Sequence, residues 1–195
     1  MPKVVAQHPM EYFKERVELA LSRQHVTSSE NASFYLVSLL DNFVRLDRAS
    51  SAAGVSPDKP LAYTLCEAMS AAGPRQRVLF KWTGDLSLFI AGFFSDSLKR
   101  SLVDVDYYVS LGGSAYREAS RVAEDDAMAV LFGELSTKFV RFVDVLNEVS
   151  ESSELTTSSS LIRLYERWLR TGSERSAQQL RKQGVLPVPG AQRVH

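Results

Sequence analysis

Apolar side chains recur at spacings of three and four along most of the chain, and that period constrains it to α-helix. Met10, Phe13, Val17, Ala20 and Leu21 mark the first stripe, with Glu11, Lys14, Glu15 and Glu18 mostly on other faces. A helix is expected from about Met10 to Arg23. Thr27 followed by Glu30 reads as a capping box that opens a second helix. Its stripe of Phe34, Val37, Leu40 and Val44 is widened by Tyr35, Leu39 and Phe43, which predicts burial on more than one side. A loop over 50–59, with Gly54, Pro57 and the candidate cap Asp58, precedes a third helix. That helix carries Leu61, Leu65, Ala68 and Met69 and is expected to stop near Gly73.

Pro74 stands where a first-turn proline is tolerated, because its missing N–H has no helical partner there. Val78, Leu79, Trp82, Leu86, Phe89, Ile90 and Phe93 continue a fourth helix. Gly84 and Gly92 interrupt it, each at about 1 kcal/mol relative to alanine. In so apolar a segment, close approach of a neighbouring helix is the expected reason. A fifth helix over 101–123 is expected to break or bend at Gly112 and Gly113. Asp125 or Asp126 then opens the clearest stripe, running through Met128, Leu131, Leu135, Phe139, Phe142, Leu146 and Val149 as one long helix.

A Ser/Glu/Thr-rich surface loop is expected over 150–159. Leu161, Leu164, Tyr165, Trp168 and Leu169 predict another amphipathic helix ended by Gly172, and Ser173 caps a short polar helix that stops at Gly184. The prolines at 187 and 189 cannot donate to a helix and bias their predecessors toward extended backbone. No stretch alternates long enough to make a strand. The expectation is an all-α fold: a single compact bundle of about seven to eight helices over 1–184, with an extended proline-containing tail over 185–195.

The 195 residues are 45% hydrophobic and 24% charged, which excludes a disordered chain. Lys+Arg and Asp+Glu both count 23, whereas a nucleic-acid binder normally carries a basic excess. Nucleic acid is therefore not an expected partner. Arg163, Arg167, Arg170, Arg175, Arg181 and Lys182 give the C-terminal helices a basic character, interleaved with Tyr165 and Trp168, but they read as ordinary helix surface. No apolar run reaches bilayer or signal-peptide length, so a cytoplasmic protein with no membrane partner is expected. The single cysteine, Cys66, rules out an internal disulfide, and its apolar neighbours predict a buried structural thiol.

Catalytic signatures are scarce. His8, His25 and His195 show no helical pairing with a carboxylate that would hold a metal, and phosphate-binding glycine loops are missing. Glu15 and Glu18 form an acidic pair of the kind that holds magnesium in all-α nucleotide pyrophosphatases. Glu30 offers a second acid, but Ser33 stands where its partner should be, so the pair reads as a solvated face. The run Glu124, Asp125, Asp126 suits a helix N-terminus. No catalytic residue, metal or cofactor is expected.

The unusual region is 84–116, where aspartates, tyrosines and glycines stand among strongly apolar residues. Polar groups are costly to bury unless hydrogen-bonded. Asp85, Phe94, Asp104, Asp106, Tyr107, Tyr108 and Tyr116 are therefore the candidate ligand or interface residues. Asp104 and Tyr108, four apart, share a helix face. They either converge on a pocket or docking patch, or cap helices and satisfy one another in a structural network; Asp96 reads as an ordinary N-cap.

Gly84-Asp85, Leu88-Phe89, Gly92-Phe93-Phe94, Asp104-x-Asp106-Tyr107-Tyr108 and Gly113-x-Ala115-Tyr116 together resemble a pattern in a group of bacterial proteins without assigned activity. The resemblance covers about 25–184 and implies a bacterial source and an all-α fold. The expected function is a non-enzymatic helical interaction protein, an adaptor or regulator that self-associates or binds a protein partner through aromatic residues such as Trp82, Phe89, Phe94 and Tyr107. The alternative is a small-molecule-binding bundle or enzyme with its pocket around 84–116.

Overall fold

A computed structural model of the protein describes residues 9–44, 60–93, 105–152 and 174–182. These residues form eight helical segments: α1 Pro9–Arg23, α2 Glu30–Val44, α3 Leu61–Ser70, α4 Gly73–Phe93, α5 Val105–Arg121, α6 Asp126–Thr137, α7 Phe139–Ser152 and α8 Glu174–Lys182. No strand occurs among the described residues. The fold is the expected all-α bundle. The loop over 50–59, Asp96, the helix expected at 161–169 and the tail over 185–195 lie outside the described residues, as do Phe94 and Asp104.

Helix α4 organises the bundle. From Leu79 to Gly92 every residue except Lys81 is buried, and a helix buried on nearly all sides belongs in the centre. It packs on α5 and α7 along its length and on α3 through the tight turn at 71–72, while α1 bridges α2 and α7. Glycine makes the closest of these contacts. An added Cβ at Gly84 falls 2.5 Å from the Tyr116 ring, and one at Gly92 falls 2.5 Å from Cβ of Leu146. The expected close approach is thus present at both positions.

The Gly112-Gly113 pair does not break α5, contrary to the sequence reading. The helix runs through both, and Gly112 is a crossing point where a Cβ would meet the Phe139 ring and stand 2.6 Å from Cβ of Ser87. The long stripe from Asp126 is two helices rather than one. Lys138 adopts φ −101°, ψ 16°, and its N–H bonds back to the carbonyls of Glu134 and Ser136, ending α6 before Phe139 starts α7. Asp125 does cap α6, its side chain accepting from the Met128 amide at 2.8 Å. The last residues of α7, Ser150–Ser152, are helical where a loop was expected.

The cap of α2 is also corrected. Ser29, not Thr27, accepts from the first turn through the Ala32 amide at 3.1 Å. The reciprocal acid comes from another helix: Glu134 of α6 accepts from the Ser29 amide at 3.0 Å and its hydroxyl at 2.6 Å. Burial alone would raise the Glu134 carboxyl, but these bonds and the Lys138 ammonium outweigh it and hold the group below its ordinary value. At the other end of the α1–α2 turn, His25 takes φ 53°, the left-handed position that usually selects glycine. Its N–H bonds to Ser22 and that of Val26 to Leu21, closing α1 with a Schellman pattern.

Cys66 is exposed rather than buried. It lies on the outer face of α3 with Tyr63 and Met69, while Leu61, Thr64 and Ala68 face inward.

Candidate functional site

Among the described candidates, Asp85 is the one whose side chain is bonded from several helices. It sits on α4, 8% exposed, where a bare carboxylate would be strongly disfavoured. Its Oδ1 accepts the Tyr116 hydroxyl of α5 at 2.7 Å and the Tyr35 hydroxyl of α2 at 2.5 Å. Its Oδ2 accepts Lys81 Nζ, one turn back on α4, at 2.6 Å. The ammonium also stands over the Tyr35 ring, 5.4 Å from its centroid. Three helices are thereby tied to one carboxylate.

The tyrosines are held in their neutral form. Burial, followed by the nearby Asp85 charge and its hydrogen bond, pushes both Tyr35 and Tyr116 well above the ordinary tyrosine value. Tyr116 has no exposed surface. It stacks on Phe132 at 5.9 Å between centroids and tilts against Phe139 at 5.9 Å, while Gly84 leaves room for its face.

The other described candidates, Asp106, Tyr107 and Tyr108, are not among the hydrogen-bond partners of Asp85. Tyr108 is buried in the core, and desolvation raises its hydroxyl above the ordinary value. Tyr107 is half-buried and packs edge-on against Tyr108 at 5.2 Å. Burial also raises Tyr107, although a hydrogen bond from the Ala62 amide at the start of α3 pulls the other way. Asp106 is exposed in the first turn of α5, where a negative charge complements the helix dipole. Trp82 and Phe89, expected to help line an interface, are 7% and 5% exposed and belong to the core.

Within the pocket anticipated around 84–116, the space at Gly84 is filled by Tyr116 and that at Gly112 by Phe139. Open space lies instead on the far side of Lys81, in a groove of about 250 Å³ between α4, α5 and α6. Its apolar surface comes from Val78 and Pro74 on α4, Ala119 near the end of α5, Ala123 in the turn that follows it, and Met128 and Phe132 on α6. Arg77 and Lys81 line the α4 wall, and Glu124 stands on the opposite rim, ion-paired to Arg77. Phe132 and Lys81 are shared: each contributes to the groove and also touches the Asp85 cluster. A second, more open depression of about 460 Å³ borders the α1–α2 turn at His25 and Ser28.

Sequence reasoning found Asp85 and Tyr116 but missed Tyr35, Lys81 and the groove residues. The Lys81–Asp85 spacing of four was a readable signal; the approach of Tyr35 from α2 had none. Among the described residues no group of acids, histidines and cysteine is placed to hold a metal, and Glu15 and Glu18 are both exposed. No described helix is long and apolar enough to cross a membrane. Compared with known proteins, the chain matches no family model, no curated protein and no solved structure.

Proposed function

We propose that the protein is a non-enzymatic helical interaction module, an adaptor or regulator that receives a partner protein's apolar side chain in the groove between α4, α5 and α6. The groove carries this reading. Ligand pockets usually span about 300–1,000 Å³, and about 250 Å³ with an apolar floor suits one or two anchoring side chains of a docked segment. Val78, 39% exposed within it, is an apolar surface that docking would cover.

The Asp85 cluster supports binding over chemistry. A general acid or base needs a free lone pair or proton facing its substrate. Both oxygens of Asp85 are engaged, and the tyrosine hydroxyls donate inward.

A peptide-display library panned on the protein tests the reading. Selected peptides should share an apolar anchor and lose at least about tenfold in affinity on Ala123→Trp, which fills the groove from a half-exposed position. Peptides indifferent to that substitution would remove the groove from the account.

The bacterial, cytoplasmic setting is part of the same proposal, supported by the resemblance of the middle segment and by a lone exposed cysteine. So is self-association, supported by the exposed apolar side chains Phe34, Tyr63, Met69 and Val130, each 64–70% exposed. Sedimentation that stays monomeric at all concentrations would cancel that last part.

A further inference from the structure

Arg77 and Lys81 are four apart on α4, so their side chains follow one another along the same wall of the groove. Their present partners differ in kind. Asp85 lies beneath Lys81, almost fully buried, with its other oxygen held by two tyrosines. An ammonium carries three N–H donors; the bond to Asp85 uses one, and the lysine side chain is still 46% exposed. Lys81 can therefore take a second carboxylate without giving up the first. Arg77 instead pairs with Glu124, whose side chain is 69% exposed. A solvated acid of that kind is readily exchanged for another. The wall thus offers two cations, one with spare donors and one with a replaceable counterion, directly above an apolar floor.

Resting on the groove reading, we propose that the occupant is an acidic segment of a partner protein. Its apolar side chain lies on Val78, Ala123, Met128 and Phe132. A carboxylate beside that anchor bonds Lys81 and takes the place of Glu124 on Arg77. Charge complementarity along one wall sets the direction in which the segment lies, and the apolar floor sets its anchor. Glu124 acts as the resident competitor, standing in for the partner's acid while the groove is empty.

Three sets of labelled nine-residue peptides test this, each with a central leucine flanked by Glu, by Gln or by Lys. Fluorescence polarisation on the full chain reads their affinities. The Glu set should bind at least about fivefold more tightly than the Gln set, with the Lys set weakest, and the preference should shrink between about 50 and 300 mM salt. Arg77→Gln should erase much of the preference, with an unchanged helical circular dichroism spectrum. Glu124→Gln should strengthen binding of the Glu set by about threefold, a gain that a merely structural role for Glu124 would not give.

Equal binding of the Glu and Gln sets, both lost on Ala123→Trp, would overturn the acidic preference and leave the groove intact. Binding of any set that survives Ala123→Trp would overturn the groove reading itself. Failure of the Glu set to bind at all would overturn the acidic-segment inference. Tighter groove binding by octanoate than by any peptide would overturn it in favour of a free carboxylate.

Discussion

Tyr107 and Tyr116 stand on the same helix and differ in almost everything that decides what a tyrosine does. Tyr116 points into the junction of α2, α4 and α5, has no exposed surface and gives its hydroxyl to a buried carboxylate. Tyr107 lies half-buried at the start of α5, where its hydroxyl takes the Ala62 amide of α3. The aspartates divide the same way: Asp85 is enclosed and triply bonded, while Asp106 is exposed in a first helical turn. One set of residue types has therefore made a structural knot at one end of α5 and a helix edge at the other. Depth in the bundle, set by α4 running through its centre, made the difference.

Exchanging the aspartates should widen the contrast most. Asp85→Ala leaves two buried hydroxyls without an acceptor and is expected to cost about 3 kcal/mol in urea unfolding. Asp106→Ala should cost less than about 0.5 kcal/mol, a lost dipole contact at a solvated helix end. Equal effects from the two would break the comparison.

The glycines come next. Alanine is favoured over glycine within a helix by about 1 kcal/mol, but overpacking a rigid neighbour costs about 1–3 kcal/mol. At Gly84 the neighbour is the buried Tyr116 ring, and Gly84→Ala should lower stability by about 2 kcal/mol net. At Gly113 the nearest atom, Cβ of Phe139, is 4.0 Å from an added Cβ. Gly113→Ala should therefore raise stability by about 1 kcal/mol, and thermal melts will read both signs.

How much of this was legible in the sequence follows from the same residues. Periodicity was enough for the helices, because each stripe had to find a core. Gly84 and Gly92 were read correctly as contact points, since glycine inside an apolar helix has few other uses. Gly112-Gly113 misled because glycine pairs also mark breaks, and only the position of Phe139 distinguishes the two cases. Thr27 and Glu30 looked like a local capping box, while the acid that closes the motif at Ser29 is Glu134, 105 residues away in sequence. Tyr35 was visible only as part of a wide stripe; no local pattern links it to Asp85. That a glycine meets a neighbouring helix could be read; which residue of which helix it meets could not.

The tyrosine comparison should give a smaller effect. Tyr116→Phe is expected to lose about 1.5 kcal/mol, and Tyr107→Phe about 0.5 kcal/mol. Alkali sharpens it further. Tyr35, Tyr108 and Tyr116 all have folded-state values raised above the ordinary 10.0. The unfolded chain therefore releases protons first as pH rises past that point, and stability should fall above it. Tyr116→Phe should blunt that fall; Tyr107→Phe should blunt it less.

The least effect is expected at acid pH. Glu134 is held below its ordinary 4.5, so its contribution is present above that value and fades as pH falls beneath it. Glu134→Gln should cost about 1 kcal/mol near neutrality and flatten this part of the acid profile. An unchanged profile would mean that the bond between α6 and the α2 cap carries little.

A double-mutant cycle between Asp85→Ala and Tyr116→Phe, read by urea unfolding, asks whether the Asp85 junction is a structural knot. A structural knot requires non-additivity of at least about 1 kcal/mol, since either change alone breaks the same bond. Effects that add within about 0.3 kcal/mol would contradict it.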